Sequence, residues 1–391
     1  MRLLVISNTP FLPPTAGNRT RLNNLLAHLG ASGVELGMLM LPEVDLPEWD
    51  IQGMRARLAY FEVAAPPERT LARRALHRLG RLVKRDDRGV RPLGIDDWCP
   101  AWFRTRTARL VAEWRPDVML VEYVFLSACL EGLPAPCLRI IDTHDLMHRR
   151  RAVYDAAGVP LQWFHTTRDE ERRGLERADL VLAIQEEESA ELRAMLPGRR
   201  VLTVPPGQAV VSQPLDAAVP GRVLLVASYN DLNVRGLRWF LAEVWPGLRR
   251  TRPDATLVVC GSIRDKLGDA PPGVELRGVV PTLAGEYARA RVVINPVPAA
   301  TGIQLKVADA LCHGRPVVST RAGVGGLGDA EGAGIVAVDG AVELAAAVDR
   351  LLGDEAYWTQ TAQAAAVYAA RHLAPEAAFG PLLAELRRHA S

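Results

Sequence analysis

Cysteine is scarce in this 391-residue chain. Cys99, Cys129, Cys137, Cys260 and Cys312 are the full set, and no two form a CxxC pair. An odd number at open spacings excludes a disulfide framework and a cysteine-held zinc ion, and points to reduced thiols in the cytosol. A surplus of one charge is lacking too. The net charge is +2, so bulk electrostatics name no partner, and nucleic-acid binding would need a local patch. No apolar run nears the ~20 residues that cross a bilayer, which excludes a polytopic membrane protein. Lysine is rare beside arginine among the 47 cations, the usage of a GC-rich bacterial genome rather than a functional signal. The start, Met1 to Asn8, holds one cation and a short apolar run before turning polar and Pro-rich. It predicts a buried first strand, not a secretory leader.

What is present is ordinary globular material. Hydrophobic residues make up 49% and charged ones 24%, and the length allows two to three domains with full cores. Short β-branched runs at 2–7, 34–41, 60–64, 117–122, 138–142, 180–184 and 201–204 predict one series of strands. A second series is predicted at 222–228, 255–261, 274–278, 291–295, 315–319 and 334–338. Amphipathic stretches at 18–31, 103–114, 186–195, 236–250, 303–313 and 341–353 predict helices between them. Continuous apolar strands separated by helices mean parallel sheets covered on both faces, an α/β fold. Pro205-Pro206-Gly207, Gln213-Pro214 and Pro220-Gly221 divide the two series, and 206–220 reads as a linker. Two Rossmann-like halves follow, with ligands expected beyond the carboxyl ends of the strands, in the cleft between the halves.

Residues 69–91 break the pattern. Arg69, Arg73, Arg74, Arg78, Arg81, Lys84, Arg85, Arg88 and Arg91 alternate with Leu71, Leu76, Leu79, Leu82 and Val83 at near-helical spacing. Such a helix can lie on an anionic membrane face, or its apolar stripe can pack on its own domain. The run lacks the interleaved aromatics of a single-strand nucleic-acid binder, so no nucleic-acid partner is expected.

Four segments carry candidate chemistry. Pro13 to Thr20 follows the first strand, where Gly17 permits a tight turn near a ligand and Asn18 or Thr20 could cap the next helix. Ile141-Asp142-Thr143-His144-Asp145 ends a hydrophobic strand and projects polar groups into the cleft, with His144 able to donate or accept near neutral pH. Val226 to Gly236 joins a strand to a helix that Asn233 could cap. Arg235 would then sit in the first turn, against the helix dipole unless an anion lies between. The fourth is the strongest. A loop of small residues from Asn295 meets a helix at Gly302, Ile303 and Gln304, whose free N–H groups can cradle a phosphate. Lys306 lies one turn in and can neutralise the anion. Asp309 is three residues further on the same face, within reach of a ribose hydroxyl pair.

The segment from Thr301 to Ser319 resembles the donor-site helix of GT-B glycosyltransferases of the retaining family 4 group, ending like theirs in Gly314-Arg315-Pro316-Val317-Val318. Asn233, Gly236, Trp239, Phe240 and Pro246 are similar to the opening of that family's C-terminal domain. Ala178 through Gly207 is similar to the end of its N-terminal domain. The resemblance implies a GT-B fold with an N-terminal acceptor domain over 1–206 and a C-terminal donor domain over 207–373. The helix 374–391 would pack back on the first domain. It implies a cytoplasmic enzyme that moves a sugar with retention from an NDP-sugar to a hydroxyl acceptor. Peripheral contact with the inner membrane face through 69–91 stays open. UDP is the base-rate nucleotide, and no cofactor or metal is implied. An envelope saccharide, a glycolipid and a natural product all remain open as acceptor.

In this resemblance His144 meets the donor sugar, Lys306 and Arg235 face the diphosphate, and Asp309 binds ribose. Gly17, Ser228, Thr301, Gly302, Ile303 and Gln304 complete the donor-binding set. Three positions depart from the family. Thr301 and Asp309 stand where members carry a pair of glutamates, and Ser228 where many carry an arginine. These departures leave room for a non-catalytic sugar-nucleotide-binding protein. A sugar-nucleotide epimerase of the same architecture is also open, with His144, Asp142 and Asp145 as its acids and bases. Trp98, Trp102 and Phe103 could line an aromatic acceptor pocket or fill the core.

Overall fold

The computed structural model describes residues 1–42, 46–66, 94–161, 163–211 and 213–390. The basic segment 69–91 lies outside the described residues. Two parallel sheets form the frame. The first has the order β3-β2-β1-β4-β5-β6-β7, built from Arg2–Ser7, Glu35–Met40, Tyr60–Val63, Val118–Glu122, Leu138–Asp142, Leu180–Ala183 and Arg200–Thr203 taken as β1 to β7. The second has the order β10-β9-β8-β11-β12-β13, from Arg222–Val226, Thr256–Cys260, Val274–Gly278, Val292–Asn295, Val317–Ser319 and Ile335–Ala337 taken as β8 to β13. Every pairing of these strands is parallel. The central strands are buried along nearly their whole length because helices cover both faces. Their near-continuous runs of Val, Leu and Ile are what such burial requires.

Each sheet reverses its direction of winding once, between β1 and β4 and between β8 and β11. Loops leaving these neighbours part to opposite faces and open a crevice at the carboxyl ends. The helices that matter for the site begin there: Gly17–Ala31 after β1, Asp231–Trp239 after β8 and Leu305–Cys312 after β11.

Three helix starts differ from the sequence expectation. Helix Gly17–Ala31 begins on Ala16 with no side-chain cap. Asn18 and Thr20 lie inside the first turn, and the Thr20 hydroxyl donates to the carbonyls of Pro14 and Ala16, both at 3.1 Å. The helix after β8 starts at Asp231, five residues early, because Asn230 and not Asn233 is its cap: Asn230 Oδ1 accepts from the Asn233 amide at 2.7 Å. It then passes through a widened turn, Phe240–Val244, before Trp245–Thr251. Pro246 there has no N–H to give, and the wider turn carries the chain past it. The fourth motif's helix starts at Leu305 on Gln304, so Gly302 and Ile303 form the approach to it.

The chain runs between the two halves twice. After Glu355–His372, whose Trp358, Ala362 and Ala365 pack in the second half, helix Pro375–Ala390 lies on the first. Ala378, Phe379, Leu382, Leu383 and Leu386 there pack with Leu22, Leu25, Leu26 and Leu29 of helix Gly17–Ala31. The two crossings are tied together. The Gln208 amide donates to the Leu373 carbonyl at 2.8 Å, and Asn24 Nδ2 donates to the Gly207 carbonyl at 2.7 Å. Gly207 lies against the Phe379 ring, where a Cβ would collide. Among the described residues no helix is long and apolar enough to cross a membrane.

Phe379 is fully buried at this junction. Phe379→Ala should cost about 3–5 kcal/mol, seen as a lower urea midpoint for the first half with the fold otherwise retained.

Candidate functional site

The carboxyl ends of the two sheets face one another across a cleft of about 340 Å³. From the first half it is lined by Pro14 to Asn18, Thr20, Arg21, Tyr123, His144, Asp145, Ile184 and Pro206. From the second it is lined by Val226 to Ser228, Asn230, Asn233, Leu283, Thr301 to Lys306 and Asp309. Most of these belong to the loops that follow β1, β4, β5, β8 and β11, around the two winding reversals.

Glycine sets how closely the walls approach. A Cβ on Gly302 would lie 2.5 Å from Asp145 Oδ1 and 3.0 Å from Ile184 Cδ1, and one on Gly17 would lie 2.9 Å from Leu305 Cδ1. A side chain at Gly302 would displace the Asp145 carboxylate, and one at Gly17 would push the Leu305 side chain aside. Beside Gly302 the Thr301 hydroxyl donates to Asp145 Oδ2 at 3.3 Å, and Arg150 holds the same carboxylate at 3.0 Å.

The wall of the first half is a buried charge network. Glu122 and Asp142 are neighbours at the ends of β4 and β5. Arg21, from the first helix, forks onto both Asp142 oxygens at 2.9 and 3.0 Å and spends another N–H on the Val204 carbonyl at 2.9 Å. His144 Nε2 meets Glu122 Oε2 at 2.5 Å, and the His144 ring stacks on Tyr123 with centroids 4.2 Å apart. Burial works to raise the Asp142 pKa, but the Arg21 guanidinium outweighs it and holds the carboxyl below its ordinary value. Burial raises the Glu122 carboxyl. Burial also opposes the imidazolium of His144, yet the Glu122 and Asp142 carboxylates outweigh it and raise the His144 pKa. Glu122, Asp142 and His144 bring one ligand atom each within 4.8 Å of one another. Both Asp142 oxygens are taken by Arg21 and Glu122 Oε2 by His144, which leaves Glu122 Oε1 alone without a partner in a network of paired ions.

The wall of the second half brings together a helix start and one lysine. Lys306 is one of three lysines in the chain, with Lys84 and Lys266. Its Nζ donates to Asn233 Oδ1 at 2.6 Å, and Asn233 Nδ2 donates to the Ser228 carbonyl at 2.8 Å. Asn233 therefore ties the loop after β8 to the helix after β11. Crowding by protein atoms pulls the Lys306 pKa down to about 7 and pushes that of Asp309 up to about 7. A ligand anion beside Lys306 would restore its charge.

Of the residues singled out from sequence, Gly17, His144, Ser228, Thr301, Gly302, Ile303, Gln304, Lys306 and Asp309 all line the cleft. Arg235 does not. Its guanidinium donates to the Ala157 carbonyl, at the end of helix Arg150–Ala156, beside Gly158. With Asn230 as the cap, Arg235 falls in the second helical turn, on a face that meets the first half, so it is no neighbour of a diphosphate in this arrangement. Phe103 is fully buried, and Trp98 and Trp102 pack against the same core and not on the cleft. Sequence reading missed Arg21, Glu122 and Tyr123. Each sits in or just after a regular element with no motif of its own, and only the pairing of β4 with β5 and the docking of the first helix bring them to His144.

Two facing parallel sheets with a ligand cleft at their carboxyl ends define the GT-B glycosyltransferase architecture. Residues 220–354, about a third of the chain, match the family model described as Glycosyl transferases group 1. Solved structures share the fold over the full length. Sucrose-phosphate synthase from Thermosynechococcus elongatus aligns at 18% identity with TM-score 0.68, covering 100% of both chains. HepE of Anabaena, solved with UDP, aligns at 14% identity with TM-score 0.69, covering 99% of this chain and 100% of that one. A point mutant of TarM from S. aureus, solved with UDP, fondaparinux and α-GlcNAc-glycerol, aligns at 9% identity with TM-score 0.69, over 99% and 100%. No curated protein matches the sequence. The whole chain thus shares the GT-B fold, and its second half matches the family model of group 1 glycosyl transferases.

Arg21→Met removes the partner of a fully buried carboxylate and should cost about 3–5 kcal/mol at neutral pH. Because Asp142 is held low in the fold, the stability it contributes is present above its unfolded pKa and is lost as pH falls through its folded one. The gap between variant and wild type in chemical denaturation should therefore narrow on acidification.

Proposed function

We propose that this protein transfers a sugar from a nucleoside-diphosphate sugar to a hydroxyl acceptor, with retention at the anomeric carbon and without a metal ion. One observation carries the reading: the start of helix Leu305–Cys312, its Gly302–Gln304 approach, Lys306 and Asp309 all front the interdomain cleft. Backbone amides and an ammonium at one point are a site for pyrophosphate, and a carboxyl one turn on suits a ribose diol. The UDP and UDP-glucose bound in the solved HepE structures support uridine as the base.

The departing nucleoside diphosphate gains negative charge as the sugar bond breaks. The amides before Leu305 and the Lys306 ammonium stabilise that charge from the second half, in a position set before the reaction begins. His144 faces the same cleft from the first half. Acceptor attack from the leaving-group side would retain configuration, with the acceptor proton passing to the departing phosphate oxygen. Thr301 has no carboxylate to offer the sugar, and its hydroxyl is turned to Asp145. The neighbouring carboxylate on this part of the wall therefore comes from the opposite half.

Calorimetry with UDP tests the site. Lys306→Ala should weaken binding by about 1.5–3 kcal/mol and Asp309→Ala by about 1 kcal/mol. Unchanged affinity in both would remove the assigned site. The pH dependence has a definite sign. Diphosphate prefers charged Lys306, so affinity falls as pH rises through about 7. Ribose prefers ionised Asp309, so affinity also falls as pH drops below about 7. Lys306→Arg, whose guanidinium stays charged, should flatten the alkaline side only. Slow hydrolysis of UDP-glucose without acceptor marks a transferase, whereas binding with no turnover of any NDP-sugar marks a sensor.

A further inference from the structure

The Glu122–His144 pair has features that sugar-nucleotide binding alone does not require. His144 sits at the centre of a three-residue turn closed by the Asp145 amide on the Thr143 carbonyl at 2.7 Å, with its own φ at 59°. Tyr123, which stacks on it, has φ at 65°. Two non-glycine residues in the left-handed region, ring against ring, are strained backbone held in place by the surroundings. The turn aims the imidazole so that Nε2 meets a fully buried carboxylate while the residue lines the cleft, and Nδ1 is the ring nitrogen that the carboxylate does not engage. Glu122 has no other side-chain partner among the described residues: Oε2 goes to His144, and Oε1 is buried without a hydrogen bond.

We propose that Glu122 is a positioning residue that keeps a proton in the Glu122–His144 pair at neutral pH, so that His144 Nδ1 presents an N–H to the cleft and serves as a hydrogen-bond donor, not as a base. Two counts support this. The first is charge. Glu122 and Asp142 bring two carboxylates and Arg21 one guanidinium. A protonated pair makes the buried group neutral, whereas its loss leaves a net negative charge out of water. The second is proton position. Whether the proton between the two lies on Nε2 or on Oε2, the ring's remaining hydrogen is on Nδ1. Among the described residues, Asp145 and Arg150, paired beside the turn, and the neutral Tyr123 hydroxyl also lie near the ring. Across the cleft Gly302 meets the His144 carbonyl and brings no charge.

The proposal rests on the sugar-transfer reading and deepens it. An N–H at this point favours an oxygen that gains negative charge, on the sugar or on the departing phosphate. It also removes His144 as the group that deprotonates the acceptor, so that proton leaves with the phosphate.

The full-length protein labelled with ¹⁵N-histidine tests this directly. Eight histidines give separable ring signals, and His144→Gln assigns the relevant one. The expected wild-type result is a protonated Nδ1 at neutral pH and a titration midpoint above that of an ordinary histidine. Glu122→Gln should lower the midpoint by about one unit or more. It should also move the alkaline limb of kcat for UDP-glucose hydrolysis to lower pH by a similar amount, with KM changed by less than about threefold. Glu122→Asp should recover part of the shift. A bare Nδ1 in the wild type at neutral pH, or a wild-type midpoint in Glu122→Gln, would overturn the proposal. If Glu122→Gln does not fold, the wild-type titration decides alone. A protonated ring in a protein that hydrolyses no NDP-sugar would sink the sugar-transfer reading and leave the proton assignment standing.

Discussion

The width of the cleft is constrained at two bare backbone positions, Gly17 and Gly302, where one half packs closely against the other. At these points a single methyl group would overlap Leu305 or Asp145. The approach joins a positively charged helix start from one sheet to a polarised histidine from the other. Neither half alone holds a site that could surround a diphosphate and a sugar together. The proposed donor would have its charge met from the second half and its reacting end from the first.

The two walls handle charge in opposite ways. In the first half the ions are paired with one another before any ligand arrives: Arg21 with Asp142, Glu122 with His144. Such pairs contribute little net stability, but they fix geometry, since breaking one leaves an uncompensated charge in the core. In the second half Lys306 Nζ has the neutral Asn233 as its partner among the described residues, and crowding works against its charge. The first wall is a template of paired ions, and on the second the ammonium is held by a neutral side chain and not by a carboxylate.

Much of the architecture was legible in the sequence because parallel strands buried on both faces must be apolar throughout, as β1, β4 and β11 are. The helices were less so, where local rules compete. Asn233 and Asn230 both read as caps, and only the fold decides that Asn230 takes the role and Asn233 bridges Lys306 to Ser228. That three-residue difference turned Arg235 from an apparent phosphate ligand into a clasp on Ala157. The second-half wall was readable because its chemistry is local, within one loop and one helical turn. The first-half network was not, because Arg21 and Asp142 are 121 residues apart and Glu122 reaches His144 only through strand pairing.

The return of helix Pro375–Ala390 to the first half has a consequence for biosynthesis. Strand β7 ends at Thr203, yet the apolar stripe of Leu22, Leu25 and Leu29, which packs with first-sheet residues such as Leu36 and Met38, is completed by Phe379, Leu382 and Leu386. On the ribosome that stripe waits through the synthesis of the entire second sheet, roughly ten to forty seconds at usual elongation rates. During that interval the nascent chain exposes a greasy seam to chaperones and to other nascent chains. Synthesis of residues 375–390, rather than emergence of the seventh strand, thus precedes closure of the core of the first half.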